Sequence, residues 1–184
     1  MITTHSESEW RLVKSLRNQG RADSGGWLEH ARFGYNYRLD DLSAAVGLAQ
    51  VEKLDEILAL RSAAAKRYGE LLGPLDGAEP LCPDDAEHRR SWFVYPVRLP
   101  AASDRERVIA RLAENGIGTA RYLPSIHLQP YMRERFGYRE GLLPVSEEAS
   151  RRLLALPFFT GIAPDQQERV VMALSEALAG EEAG

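Results

Sequence analysis

Residues 34–56 read GYNYRLDDLSAAVGLAQVEKLDE, and the reading of this stretch decides the architecture. Leu42, Val46, Ala49 and Leu54 recur at helical intervals, and Ile57, Leu58, Ala65, Tyr68 and Leu72 continue the series without a proline. The spacing predicts one long helix from Asp40 to about Leu72, with Gly47 the place for a kink. Just ahead of it Asn36 offers an amide and Arg38 a guanidinium, beside the phenols of Tyr35 and Tyr37. Free backbone donors and the dipole at a helix N-terminus favour an anion there, so a phosphate suits the position. The competing reading has Asn36 holding a tight turn, Arg38 paired with Asp40 or Asp41, and the tyrosines in a core.

Toward the N-terminus, Met1-Ile2-Thr3-Thr4 is a short β-prone piece, and Ser6 with Glu9 forms a capping box for a helix carrying Trp10, Leu12, Val13 and Leu16. Gly20 stops it, and residues 21–35, with Gly25, Gly26 and Trp27, are a loop. Toward the C-terminus, Pro74, Gly77, Pro80 and Pro83 break the long helix, and Asp84 to Arg90 is a polar run. Ser91 to Leu99 has the β-branched and aromatic content of a strand, which Pro96 assigns to an edge or bulge. A capping box at Ser103 and Glu106 opens a helix ending at Gly116. Thr119 to Leu123 reads as a strand, Pro124 to Gly141 as a loop with a short helical turn, and Val145 to Leu154 as a helix. Pro164 to Leu178 is a final helix closed by Gly180, ahead of a frayed tail, Glu181 to Gly184. The segmentation predicts an α+β domain preceded by a long-helix arm.

The 184 residues suffice for one ordinary domain or two very small ones, and 44% hydrophobic with 27% charged residues is a globular composition. A net charge of -4 gives no electrostatic case for nucleic acid. No apolar run reaches the length of a membrane span, and no signal peptide opens the sequence, so neither insertion nor export is expected. Cys82 is the single cysteine, which excludes an internal disulfide, and four scattered histidines give no metal-binding spacing. The expected compartment is the cytoplasm.

Candidate chemistry is sparse, with no glycine-rich phosphate loop after a strand and no nucleophile elbow. His127, flanked by Ile126 and Leu128 and bracketed by prolines, suits a rigid loop that presents an imidazole as hydrogen-bonder or acid–base group. Its alternative is a half-buried histidine bonded to a backbone carbonyl. Arg133, Arg135 and Arg139 interleave with Glu134 and Glu140 and read as a solvated face.

The stretch at 34–56 resembles the DegT/DnrJ/StrS group of pyridoxal-phosphate enzymes, the sugar-nucleotide aminotransferases. Further resemblance lies in SLRNQGR after the opening MITT, in NGIGTARYLPSIHLQPYMRERFGY and in PVSEEASRRLLALPFF, and it extends over about residues 1–178. It implies the α+β small domain of a fold-type I transferase: a small antiparallel sheet packed by helices, after a long interdomain helix. Residues 1–38 would then be a remnant of the large cofactor domain (strand, helix, loop), 39–73 the connecting helix and 74–184 the small domain.

The resemblance further implies a homodimer that moves an amino group from a glutamate-like donor to a nucleotide-linked keto-sugar, for polysaccharide or amino-sugar synthesis, with pyridoxal 5'-phosphate as cofactor. Asn36 would reach the cofactor phosphate of the neighbouring subunit, with Arg38 close by. His127 would lie near the sugar-binding mouth, and Tyr122 would line it. No catalytic residue carries over. The family's lysine sits in a Ser-x-x-Lys-like stretch upstream of the residues matching Met1, and Lys14, Lys53 and Lys66 match none of it. The expectation is the C-terminal half of such an enzyme, inactive alone. The alternative is a noncatalytic module that pairs with an aminotransferase or with a separately encoded N-terminal half.

Overall fold

The computed structural model describes residues 2–23, 26, 29–81, 87–88 and 90–182, with the side chains of 181 and 182 left aside. Gly25, Trp27, Cys82, Pro83, most of the polar run from Asp84 to Arg90, and the end of the C-terminal tail lie outside the described residues. The chain divides into two compact units, Met1–Lys53 and Leu54–Gly184.

In the first unit, α1 (Glu7–Arg17) starts where Ser6 Oγ accepts the Glu9 N–H at 3.3 Å. The reciprocal half of the expected capping box is absent. Thr4 intervenes, its hydroxyl accepting the Ser6 N–H and donating to the Glu9 carboxylate. Residues 2–4 form no strand. Gly20, at φ +77, ends the helix as expected, and a Cβ there would lie 1.8 Å from the Arg32 carbonyl oxygen. Only glycine permits that approach.

The predicted long helix is two helices, α2 (Asp41–Val51) and α3 (Leu54–Leu72). The interruption falls at Glu52 and Lys53, where the Lys53 N–H bonds the Gln50 carbonyl in a tightened turn, and not at Gly47, which stays helical. Neither residue breaks helices by itself, so periodicity alone ran through the gap. No residue of α2 is buried.

The second unit holds a four-stranded antiparallel sheet in the order β1-β2-β4-β3. Its strands are β1 (Glu79–Pro80), β2 (Tyr95–Arg98), β3 (Ala120–Arg121) and β4 (Leu153–Leu156). Pro96 was expected at an edge, yet β2 is interior. The Leu99 N–H donates to the Arg152 carbonyl, so by alternation residues 95 and 97 also turn their amides to β4, while 96 and 98 face β1. β1 ends opposite Val97, so the missing amide of Pro96 costs no ladder bond.

α6 (Pro144–Arg152) stops two residues before the predicted end, because Leu153 and Leu154 open β4. Leu154, Ala155 and Leu156 are all buried, which for side chains alternating between faces means that both faces of the sheet are covered. α4 (Arg105–Glu114) supplies Val108 and Leu112 to this core, and α7 (Pro164–Glu182) supplies Val170, Ala173, Leu174, Ala177 and Leu178. Asp104 caps α4 in place of Ser103, and the Glu106 carboxylate is drawn away to Arg121. Gly180 does not close α7, which runs on to Glu182. Arg111 Nη2 bonds its carbonyl at 3.0 Å, and Arg111 Nη1 bonds that of Ala177 at 2.8 Å. Between the sheet and α6 the chain forms a 3₁₀ turn (Ile126–Leu128) and α5 (Pro130–Phe136).

Candidate functional site

The terminal carbonyls of α1 need donors from elsewhere. Residues 35–37 provide them: the Tyr35 N–H bonds the Leu16 carbonyl at 2.7 Å, and the Tyr37 N–H bonds that of Arg17 at 2.8 Å. Alternation along this segment places Tyr35 and Tyr37 on one side, where their rings stack 5.1 Å apart, and Asn36 and Arg38 on the other. Both phenols are exposed, so they are not core, and the Asn36 amide makes no side-chain hydrogen bond among the described residues. Arg38 pairs with neither Asp40 nor Asp41; its Nη1 donates to Asn18 Oδ1 at 2.6 Å.

The N-terminus of α2 is not an open anion site. Asp40 caps it, accepting the Ser43 N–H at 2.9 Å and the Ser43 hydroxyl at 2.7 Å. Those bonds, the backbone one first, hold the Asp40 carboxyl below its ordinary range. A fixed negative charge therefore occupies the place where backbone donors would have met a phosphate. The donors next to that cap which the motif names for an anion are the amide of Asn36 and the guanidinium of Arg38. An amide and a guanidinium are donors that suit the oxygens of a phosphate such as that of pyridoxal phosphate, the guanidinium being shared with Asn18. Lys14 lies 3.7 Å from Asp23, Lys53 lies in the turn before α3, and Lys66 lies 3.9 Å from Glu70. None of the three is buried as an activated amine would be.

Tyr122 and His127 belong to the second unit. Tyr122 is half-buried, its N–H directed at the Leu153 carbonyl as β3 leaves the sheet. His127 is buried, 4% exposed, and its Nε2 lies 2.8 Å from Glu147 Oε1. The backbone-carbonyl alternative is thus replaced by a carboxylate partner. Glu147 stands in the first turn of α6, and its two oxygens also accept the Gly141 N–H at 3.0 Å, while Oε1 accepts the Leu143 N–H at 3.2 Å. The Gly141 N–H above all, with His127 and the Leu143 N–H, holds this carboxyl below the usual range against the opposing effect of burial. His127 Nδ1 is buried without a partner among the described residues.

The 3₁₀ turn through His127, residues 141–143 and α6 thus meet on one carboxylate. Sequence reading missed Glu147, since nothing in PVSEEAS distinguishes it from the exposed Glu148. It missed Asn18 as the Arg38 partner for the same reason. The arginines of 133–139 are exposed as expected, with Arg135 over the Phe136 ring at 5.7 Å. Among the described residues no group of histidine, cysteine and carboxylate could hold a metal, and no helix is long and apolar enough to cross a membrane.

The profile of the DegT/DnrJ/EryC1/StrS aminotransferase family matches residues 1–175. Among solved structures, the aminotransferase TlmJ from Streptoalloteichus hindustanus is 27% identical with a TM-score of 0.83, over 96% of this chain and 46% of that one. DesV from S. venezuelae, in complex with a ketimine intermediate, is 29% identical with a TM-score of 0.83, over 94% of this chain and 45% of that one. At 18% identity, Helicobacter pylori PseC, an aminotransferase involved in the biosynthesis of pseudoaminic acid, shares the fold with a TM-score of 0.87, over 96% of this chain and 48% of that one. The chain spans a little under half the length of each structure.

Proposed function

The chain belongs to the DegT/DnrJ/EryC1/StrS aminotransferase family, and from that premise we propose that it is a portion of a pyridoxal-phosphate-dependent sugar aminotransferase. The complete enzyme would transfer an amino group from a glutamate-like amino acid to a nucleotide-linked keto-sugar. The observation that carries this reading is the family match over 1–175, supported by the 27% and 29% identity to TlmJ and DesV.

When bound, the cofactor supplies the electron sink for proton removal from the amino donor. This chain's own contribution is to binding. In the proposal residues 1–38 belong to the large cofactor domain, Asn36 and Arg38 help hold the phosphate in the neighbouring subunit of a dimer, and the cytoplasm is the place of work. Tyr122 borders the sugar site. His127, turned inward on Glu147, acts there by fixing the loop rather than by touching the sugar. The covalent attachment of the cofactor falls to a lysine outside these residues.

The test is to add pyridoxal phosphate and borohydride to the chain, alone and mixed with a polypeptide that carries the rest of the family fold. The expected result is no stoichiometric lysine label on this chain in either case, a label on the added polypeptide in the mixture, and weaker cofactor retention there with Asn36→Ala. A stoichiometric label on Lys14, Lys53 or Lys66 overturns the reading.

A second reading is a noncatalytic module that pairs with an aminotransferase. It draws on α2, which buries nothing although Leu42, Val46, Leu48 and Val51 surround its axis. A helix apolar on all sides calls for cover. The two readings part on activity, because only the first restores amino transfer when the complementing polypeptide is supplied.

A further inference from the structure

On α3 the residues Ser62, Ala65 and Gly69 follow one another at helical spacing, and their short side chains leave a hollow along the helix, with Lys66 at its rim. Pro80, Leu81, Trp92 and Tyr95 form the opposite wall, and the half-open cleft between them measures about 440 Å³, room for a one- or two-ring molecule. All eight residues belong to the unit Leu54–Gly184.

The wall is rigid. The Tyr95 ring stacks on Trp92 at 5.5 Å, on Tyr68 at 4.9 Å and on Phe158 at 5.9 Å. Trp92 holds a left-handed backbone, φ +50, which a bulky residue adopts only when its surroundings enforce it. The Arg90 guanidinium covers the indole 4.1 Å from its centroid.

The polar groups converge. Tyr95 is 3% exposed, and its hydroxyl makes no hydrogen bond among the described residues. It reaches the floor of the hollow, since a Cβ on Gly69 would lie 3.9 Å from it. Burial pushes the phenol up to about 12, so it keeps its proton and can donate at neutral pH. The Lys66 ammonium, tied only loosely to Glu70 at 3.9 Å, supplies a positive charge at the mouth.

We propose that this cavity is a binding site for a planar aromatic acid, whose ring lies against Ala65, Leu81 and Trp92, with Tyr95 Oη donating to it from the floor and Lys66 Nζ meeting its anionic group. Such a site combines apolar walls with a few placed polar groups, the usual build of a small-molecule pocket. It concerns the second unit alone and stands apart from the reading of the family reaction.

The probe is 2-naphthoate, with neutral 2-naphthamide as its partner, titrated into the full chain while the Trp92 indole N–H is followed by NMR. The expected result is saturable binding of both, with the indole of Trp92 shifting more than that of Trp10. Lys66→Gln should weaken naphthoate about fivefold and leave the amide unchanged, as a partly exposed ion pair permits. Gly69→Leu, which fills the floor, should weaken both more than about tenfold while the methyl resonances of the buried Leu112 and Leu174 stay in place. Lys66→Gln lies at an exposed position and tests the charge even if the leucine variant fails to fold. No saturable shift at Trp92, equal loss of acid and amide in Lys66→Gln, or full binding by folded Gly69→Leu overturns the proposal.

Discussion

Leu154→Ala perturbs the sheet at its centre. Leu154 is fully buried, opposite Val97 of β2 and Arg121 of β3, so its side chain is enclosed on a strand with neighbours on both sides. Truncation removes three carbons, one methine and two methyls, and leaves a hole that paired strands cannot close by shifting, which puts the cost at about 3 to 4 kcal/mol within the range of roughly 2–5. For a unit of about 130 residues an unfolding entropy near 2.1 cal/mol/K per residue turns that into a fall in Tm of roughly 11–15 °C. Near-UV circular dichroism is the assay, because Tyr68, Trp92, Tyr95 and Phe158 stack within the same unit and report on it. Val145→Ala, at a residue 82% exposed, is the control and should move Tm by no more than about 2 °C. A Leu154→Ala protein that melts within about 3 °C of the parent refutes the placement of residues 153–156 as a covered strand.

The Glu147 carboxyl is held below its ordinary value of 4.5, so its contribution to stability is complete above that pH and is lost as pH falls through the lower, folded value. Thermal melts from pH 7 to pH 3 should show Glu147→Gln less stable at neutrality, with the two curves converging at the acid end; parallel curves contradict the assignment. Gly180→Ala normally adds about 1 kcal/mol to a helix, but here the new Cβ would stand 2.1 Å from Arg111 Nη1. We expect no gain in Tm and faster amide exchange over the last turn of α7, and a clear rise in Tm would show that Arg111 does not need that space.

Most helices were legible because their ends carry local chemistry. Ser6, Gly20 and Gly116 each act through their own side chain or backbone, so one residue suffices to read them. The failures are those of partners distant in sequence. Leu153–Leu156 looks like the continuation of a helix, and only its pairing with β2 and β3 and burial on both faces make it β4. Pro96 was misplaced because an edge strand and an inner strand with a two-residue neighbour leave the same gap for a missing amide. At the candidate site Asn36 and Arg38 could be named from their motif, but Asp40 as a cap that closes the helix end to anions depended on its side-chain rotamer. Glu147, 20 residues from His127, was invisible until the fold joined them.

The order of the sheet also bears on how the chain is made. β2 finishes at Arg98, yet its main hydrogen-bonding neighbour begins at Leu153, and β1 offers it only two residue pairs. At a synthesis rate of roughly 5–20 residues per second, β2 waits about 3–11 s with its ladder to β4 unmade. The nascent polypeptide therefore cannot assemble its sheet stepwise. An amino-terminal fragment released before residue 153 would carry β2 unsatisfied on that side, a target for chaperones and proteases.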